Sequence, residues 1–576
     1  MKYALSLALA GLLSAPVLAQ DAPVVTAATP EVIAAEVVPA AVQEGRWSSE
    51  ERLERSEALI NAPLSVNGVN IPTAEIRRQL VLTVGRTQLE SRKLDLMIDV
   101  ELADRERLHN ERMEGLKAKL AAGEPVEEEL TEFDASIFEL TEEESKAAFD
   151  SAVAQIKAQY PNMALEDVLA SNSLNLVGLQ RSLTQTQRFD RVFLPDDPEL
   201  WPASTIAALS KQLGDEMVPQ MKQNWANRAK TDSADPGAAM WNGLMRRMVV
   251  QSLMTDAVVT SPADGLPIDI AQNVNGMDTR VDEIWPEVAS LVHPEQVQRT
   301  RRYLARIEAV RQDMVSKGKW LDDETFNLIF AAEESVGEGT PWTLEMIVMV
   351  MKRYPTMDAY KAMLRGVKSY EKMIEDELTD ENLTTWLPRA SRLLGLGETD
   401  CEIILLSAFD YPRNRWFDNG WETAERRANE VIDALVDSEG ADWDALLAAN
   451  SDFFDPPQAP GAQPAPATDK KNKGRFGLIH RNRLMQMLGE SEFTSFVDGA
   501  SISDTIYYDQ EVGSIDGPFL GLHGFYITRV NARTNGQKAI LLTDPNMRDM
   551  VVQDYVMQNF ITYAAGLLDT AEVVGL

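Results

Sequence analysis

The sequence predicts a mainly α-helical protein with a smaller α+β module in its C-terminal part. Three observations lead there. Ile76, Leu80 and Val84 recur at a spacing of four, and Leu94, Ile98 and Leu102 continue the pattern, as on the buried stripe of a helix. A Val-Asn-Gly tripeptide stands at residues 66–68 and again at 274–276, each time ahead of a long helical pattern. Near residue 400 the texture changes. Cys401–Leu406 is a continuous apolar run that reads as a buried strand, and Phe525–Val530 reads as another.

The elements follow in chain order. Met1 and Lys2 supply a positive charge, residues 4–14 are apolar with small residues, and Val17-Leu18-Ala19 offers a cleavage site before Gln20. Residues 1–19 therefore read as a cleaved signal peptide, and the mature chain is expected in the periplasm. Residues 20–46 are rich in Ala, Val, Pro and Glu without a steady period, the composition of a disordered tether. No later apolar stretch reaches the roughly 18 uncharged residues of a membrane span, so no membrane insertion is expected.

Residues 47–200 and 201–395 read as two helical modules related by an internal repeat. After the two Val-Asn-Gly sites, Thr73-Ala74-Glu75-Ile76 pairs with Val281-Asp282-Glu283-Ile284. Leu140-Thr141-Glu142-Glu143 then pairs with Leu321-Asp322-Asp323-Glu324, and Leu165-Glu166 with Leu344-Glu345. Helices through Leu179–Phe189 and Tyr360–Tyr370 close the two copies. Thr141 with Glu144 is a capping-box pattern, and residues 107–135 read as an acidic insertion in the first copy. Residues 396–533 form the α+β module, interrupted at 455–473 by a Pro/Ala/Gly-rich insertion. Residues 534–576 end the chain with a helical segment.

Composition excludes several functions. Lys and Arg total 55 against 90 Asp and Glu, a net charge of −35. Nucleic-acid binding is driven mainly by phosphate neutralisation, and this chain would be repelled. One cysteine, Cys401, permits no internal disulfide, and His109, His293, His480 and His523 lack metal-ligand spacing. No metal and no cofactor are expected. No phosphate-binding loop, Gly-x-Ser-x-Gly elbow or His-Glu-x-x-His occurs, so neither ATP use nor hydrolysis is implied.

The Val-Asn-Gly start, long helix, acidic cap and shorter helices resemble the N-terminal chaperone domain of the SurA/PpiD class of periplasmic folding factors. The α+β module is similar to a parvulin-type peptidyl-prolyl isomerase domain. The similarity rests on the strand from Cys401, Trp443–Leu447 with Asn450-Ser451-Asp452, Gly474–Gly477, Val512–Phe519 and Gly524–Ile527. It implies a small four-stranded antiparallel sheet with helices.

The resemblance also marks a departure. Positions matching the family's polar cluster are Ile403, Phe453 and Tyr526. Prolyl isomerisation must overcome an amide barrier of about 18–20 kcal/mol, and polar groups orient the carbonyl while it twists. Apolar replacements would weaken catalysis without abolishing the binding of an extended segment. Met485, Met487, Phe493, Phe496, Tyr507 and Tyr508 are candidate substrate-binding residues, or else core of the module. His480 and His523 are possible stand-ins for the missing histidines.

Methionines suit adaptable apolar surfaces. Met346, Met349, Met351, Met357 and Met363 crowd the second copy, with Met240, Met245, Met248 and Met254 before it. The function expected is that of an ATP-independent periplasmic chaperone for unfolded or nascent exported polypeptides, weak or inactive as an isomerase. An active parvulin-type isomerase and an envelope adaptor binding one folded partner are the alternatives.

Overall fold

The computed structural model describes residues 47–576 apart from residues 48, 127–128, 162–163, 171, 173, 229–235, 336–342, 411–414, 454–473 and 537–538. The expected signal peptide, the tether and the 455–473 insertion lie outside the described residues. Among the described residues no helix is long and apolar enough to cross a membrane.

Helix α1 (Ser49–Asn61) leads into a hairpin, β1 (Ser65–Val66) and β2 (Val69–Asn70), then α2 (Thr73–Thr83) and α3 (Arg86–Ala121). The pattern from Ile76 to Leu102 thus spans two helices. They part at Gly85, where a Cβ would lie 2.6 Å from the Val81 carbonyl oxygen. The acidic stretch from residue 107 continues α3 to Ala121. Next come α4 (Glu142–Gln159), a short helix at Leu165–Ala170, and α5 (Leu176–Phe193). Thr141 and Glu144 form the capping box that starts α4. Helices α6 (Ala203–Leu213), α7 (Val218–Arg228) and α8 (Pro236–Asp256) follow.

Strands β3 (Val259–Thr260), β4 (Ile270–Val274) and β5 (Met277–Arg280) precede α9 (Val281–Val288), α10 (Pro294–Ser316) and α11 (Asp323–Ser335). One helical turn at Leu344–Met346 and a π turn at Ile347–Met351 lead to α12 (Met357–Met373) and α13 (Asp380–Leu394).

Both Val-Asn-Gly sites build the same turn. Asn67 and Gly68 have φ of 49° and 77°, and Asn275 and Gly276 have 51° and 86°. Two consecutive positive φ values make the two-residue hairpin loop whose twist matches its strands, and Asn-Gly tolerates them best.

The chain forms two compact units, and neither follows the expected division at residue 200. One comprises Leu80–Leu291; the other, among the described residues, comprises residues 47–79 with Val292–Leu576. The division falls inside α2. In the first unit, Ile98 and Leu102 of α3 and Phe189, Val192 and Phe193 of α5 share a core with Leu209, Trp225, Met245 and Val249. Helices α6 to α8, read from the sequence as opening the second module, therefore pack with α3 and α5. Hairpin β4–β5 belongs to this unit too: Gln272 Nε2 donates to the Leu89 carbonyl at 3.1 Å. Arg181 of α5 joins Asp95 of α3 (2.8 Å) and Glu287 of α9.

In the second unit α10 is the spine, holding hairpin β1–β2 through Gln312, whose Nε2 donates to the Val66 carbonyl at 3.0 Å. The α+β module follows α13. It contains β6 (Thr399–Ser407), a small hairpin β7 (Phe409–Asp410) and β8 (Arg415–Trp416), α14 (Gly420–Asp437) and α15 (Trp443–Asn450). Then come β9 (Arg475–Ile479), α16 (Arg481–Leu488), α17 (Glu492–Asp498), β10 (Ile515–Leu520) and β11 (Gly524–Arg533). The fold class is as the sequence predicts: mainly helical, with a four-stranded antiparallel sheet in the order β10-β11-β6-β9. Helix α18 (Pro545–Thr570) packs on α10, α12 and α13. Strand β12 (Val573–Val574) then pairs with β1.

Candidate functional site

Strand β6 is buried along nearly its whole length. Both faces of the sheet are therefore covered, and the continuous apolar run follows from that. On one face Ile404, Leu406 and Ile527 pack on Ala424, Ala428, Val431 and Leu435 of α14 and on Trp443 and Leu447 of α15. On the other, Cys401, Ile403 and Leu405 join Tyr526 and Val530 of β11.

That second face carries the candidate positions. Ile403, Phe453 and Tyr526 lie in a single buried cluster with Ile479, Leu484, Leu488, Ile502 and Ile506. The register sets Tyr526 opposite both Leu405 and Phe519. Phe453 meets Phe476 of β9 edge-on at 5.0 Å. Ser451 and Asp452 tie the Phe453 segment to β6. The Leu405 amide donates to Ser451 Oγ at 3.3 Å, and the Asp452 amide to the Leu405 carbonyl at 2.8 Å. Arg427 of α14 donates to both carboxylate oxygens of Asp452, at 2.5 and 3.1 Å.

Two glycines close this face. At Gly474 (φ +80°) a Cβ would lie 2.0 Å from the Ile403 carbonyl oxygen, and the Gly474 carbonyl accepts from the Ile403 amide at 2.8 Å. At Gly521 a Cβ would lie 2.6 Å from Tyr526 Cε2 and 2.5 Å from Ile502 Cδ1. The β10–β11 loop therefore lies directly on the Tyr526 ring.

The cluster offers little chemistry beyond apolar contact. Burial, with Asp400 and Glu402 adding to it, pushes the Cys401 thiol up to about 12, so it stays protonated at neutral pH. The polar pair on this face is one the sequence reading missed. Thr528, opposite Ile403, donates from Oγ1 to Gln510 Oε1 at 2.8 Å, and Gln510 Nε2 returns a bond to the Thr528 carbonyl at 3.0 Å. Strand alternation from Tyr526 would have placed Thr528 here; nothing local marks Gln510 as its partner.

The chain is similar to solved PrsA peptidylprolyl isomerases. The Bacillus anthracis protein shares 13% identity, covering 45% of this chain and 94% of that chain, with a TM-score of 0.20. The Bacillus cereus protein shares 14%, covering 52% and 92%, with a TM-score of 0.18. PrsA from Bacillus subtilis shares 12%, covering 51% and 89%, with a TM-score of 0.15. No family model matches the sequence, and no curated protein matches it.

The six candidate substrate-binding residues are not brought together. Met487 packs against the edge of the cluster, and Met485 is buried beside it on α16. Phe493 turns to Tyr303 of α10 and Tyr354, at ring distances of 5.3 and 5.8 Å. Phe496 stacks on Phe560 of α18 at 5.6 Å. Tyr507 donates its hydroxyl to the Gly397 carbonyl at 2.7 Å, and Tyr508 lies under the Arg389 guanidinium at 3.8 Å. Four of the six therefore fasten the module to α10, α13, α18 and the segment after α13.

Neither histidine joins the cluster. His480 caps α16, its Nε2 3.0 Å from the Leu393 carbonyl oxygen. His523 contacts the Phe409 ring at 4.7 Å and Trp416 at 5.8 Å. Burial, with Arg299 nearby, pulls it down to about 4, which leaves it neutral at physiological pH.

The methionines divide. Met245, Met248 and Met363 are buried core, while Met346, Met349, Met357 and Met254 are half-buried. The π turn leaves Val350 and Met351 largely exposed, at 62% and 64%. The side chain of Met240 lies outside the described residues.

Proposed function

We propose that this protein holds unfolded or extended exported polypeptides in the periplasm without ATP, and that its parvulin-like module is weak or inactive in prolyl isomerisation. The carrying observation is the company of Ile403, Phe453 and Tyr526. They share one buried cluster, with the loop at Gly521 lying on the Tyr526 ring and the Thr528 hydroxyl already engaged by Gln510. Among the described residues, the Thr528 hydroxyl is therefore already committed and not available to the carbonyl of a twisting prolyl amide.

Two surfaces support polypeptide holding. Val350 and Met351 stand exposed on the π turn, an irregularity common at functional positions. Strand β9 is a sheet edge with Leu478 exposed and open space beside Gly477. Extended chains add to such edges through main-chain hydrogen bonds. The opposite edge, β10, carries Pro518, which lacks an amide donor. The resemblance of the helical modules to the SurA/PpiD class points the same way.

The test is light scattering from a chemically denatured protein diluted into buffer with and without stoichiometric amounts of this chain. Suppressed scattering, reduced by Met351→Lys or Leu478→Lys, is the expected result. Unchanged scattering in the presence of the intact protein defeats the reading, and affinity for one folded partner alone selects an adaptor.

A further inference from the structure

We infer that the two helical modules have exchanged their Asn-Gly hairpins within one chain, so that each module carries a receiving face filled by the other module's hairpin. The elements after each hairpin run in one order. In the first copy β1–β2 is followed by α2, then long α3, α4, a short helix and α5. In the second, β4–β5 is followed by α9, then long α10, α11, a single turn and α12. The turns match in sequence and in φ at both positions.

The compact units cross this order. Long helix α3 shares its unit with β4–β5 and α9, whereas long helix α10 shares its unit with β1–β2. Side chains fasten each hairpin to the long helix of the other copy. Asn67 Nδ2 donates to Gln312 Oε1 at 3.0 Å, and Gln312 donates onward to the Val66 carbonyl. In the first unit Gln272 donates to the Leu89 carbonyl, and Asn275 Nδ2 lies 3.2 Å from Met97 Sδ. Val66 and Val274, equivalent residues before the two turns, are both fully buried.

An exchange of this kind replaces each module's own contacts with equivalent ones, so it costs little stability. It also makes each unit incomplete without a segment from the other copy. This inference holds whether or not the protein binds clients.

Hydrogen exchange of the full chain carrying Val66→Asp or Val274→Asp tests it. Buried charge at residue 66 should speed exchange in residues 294–316 by about tenfold or more, while residues 86–121 stay protected. Val274→Asp should do the reverse. Loosening of 86–121 by Val66→Asp, or equal loosening of both helices by either variant, overturns the inference. Should the variants not fold, a short bismaleimide on Asn67→Cys/Gln312→Cys in a Cys401→Ser background decides it. An intramolecular cross-link upholds exchange. An intermolecular one, or linkage of residue 67 to Met97→Cys instead, overturns it.

Discussion

Arg301 donates two hydrogen bonds to the Gly575 carbonyl oxygen, from Nη2 at 2.7 Å and Nε at 3.1 Å. The same guanidinium donates to the carbonyls of Leu59 (2.7 Å), Ala62 (2.8 Å) and Pro63 (2.7 Å). Arg301 is almost completely buried, and its partners are peptide carbonyls: Leu59 in the last turn of α1, Ala62 and Pro63 just after it, and Gly575. A helix C-terminus exposes unpaired carbonyls and a partial negative charge, which stabilise a cation without a carboxylate. One side chain on α10 thus fixes α1, the lead into β1 and the segment at β12.

Arg301→Ala removes five part-buried hydrogen bonds and takes this partner from four carbonyls. Each such group costs about 1–3 kcal/mol. The variant should lose at least about 3 kcal/mol locally, read as faster amide exchange across residues 59–70 and at residue 574. Unchanged protection there would show that these contacts contribute nothing.

Gly474→Ala should be severe. The positive φ disfavours a side chain, and the Cβ would collide with the Ile403 carbonyl oxygen. Separation of β9 from β6 should follow, with a loss of about 2–4 kcal/mol in urea unfolding of the α+β module. Gly477→Ala shares the positive φ but meets open space, so it should cost clearly less. Equal costs would contradict the close approach.

Glu295, in the first turn of α10, is raised to about 7, chiefly by burial. Arg299 and Arg302 work against the rise, and Asp498 adds to it. Its folded value lies above the ordinary 4.5, so the native state holds the proton more tightly. The resulting stability is present below about pH 4.5 and is lost as pH rises through 7. Glu295→Gln should therefore be more stable than the parent at pH 8 by about 1–3 kcal/mol, and the two should converge at pH 4.5. Chemical denaturation across that range measures the difference; parallel curves would refute it.

Much of this fold was legible because its signals are local. The capping box at Thr141 and the apolar run of β6 depend on neighbours in sequence, and each forms where its residues indicate; the two Val-Asn-Gly sites were legible as a repeat but not as hairpins. The resemblance alone singled out Ile403 and Tyr526, and these two share one face of the sheet. What sequence could not supply was long-range choice. A hairpin carries no mark of which long helix receives it, so division into consecutive modules was the simplest reading. Phe493, Phe496, Tyr507 and Tyr508 are apolar or aromatic for an interface within the second unit, and a side chain gripping a neighbouring helix has the same composition as one lining a groove. The Gln510–Thr528 pair joins residues whose closeness depends on how the π turn at Thr505–Asp509 settles against β11.

On the function proposed above, this sheet face packs apolar side chains where an isomerase would need polar ones. The most direct measurement is the cis–trans isomerisation rate of a short Xaa-Pro peptide, followed with and without stoichiometric full-length protein. A rate within about twofold of the uncatalysed one, unchanged by Tyr526→Phe, is the expected result. An acceleration of a hundredfold or more, abolished by altering Tyr526 or His523, would contradict it.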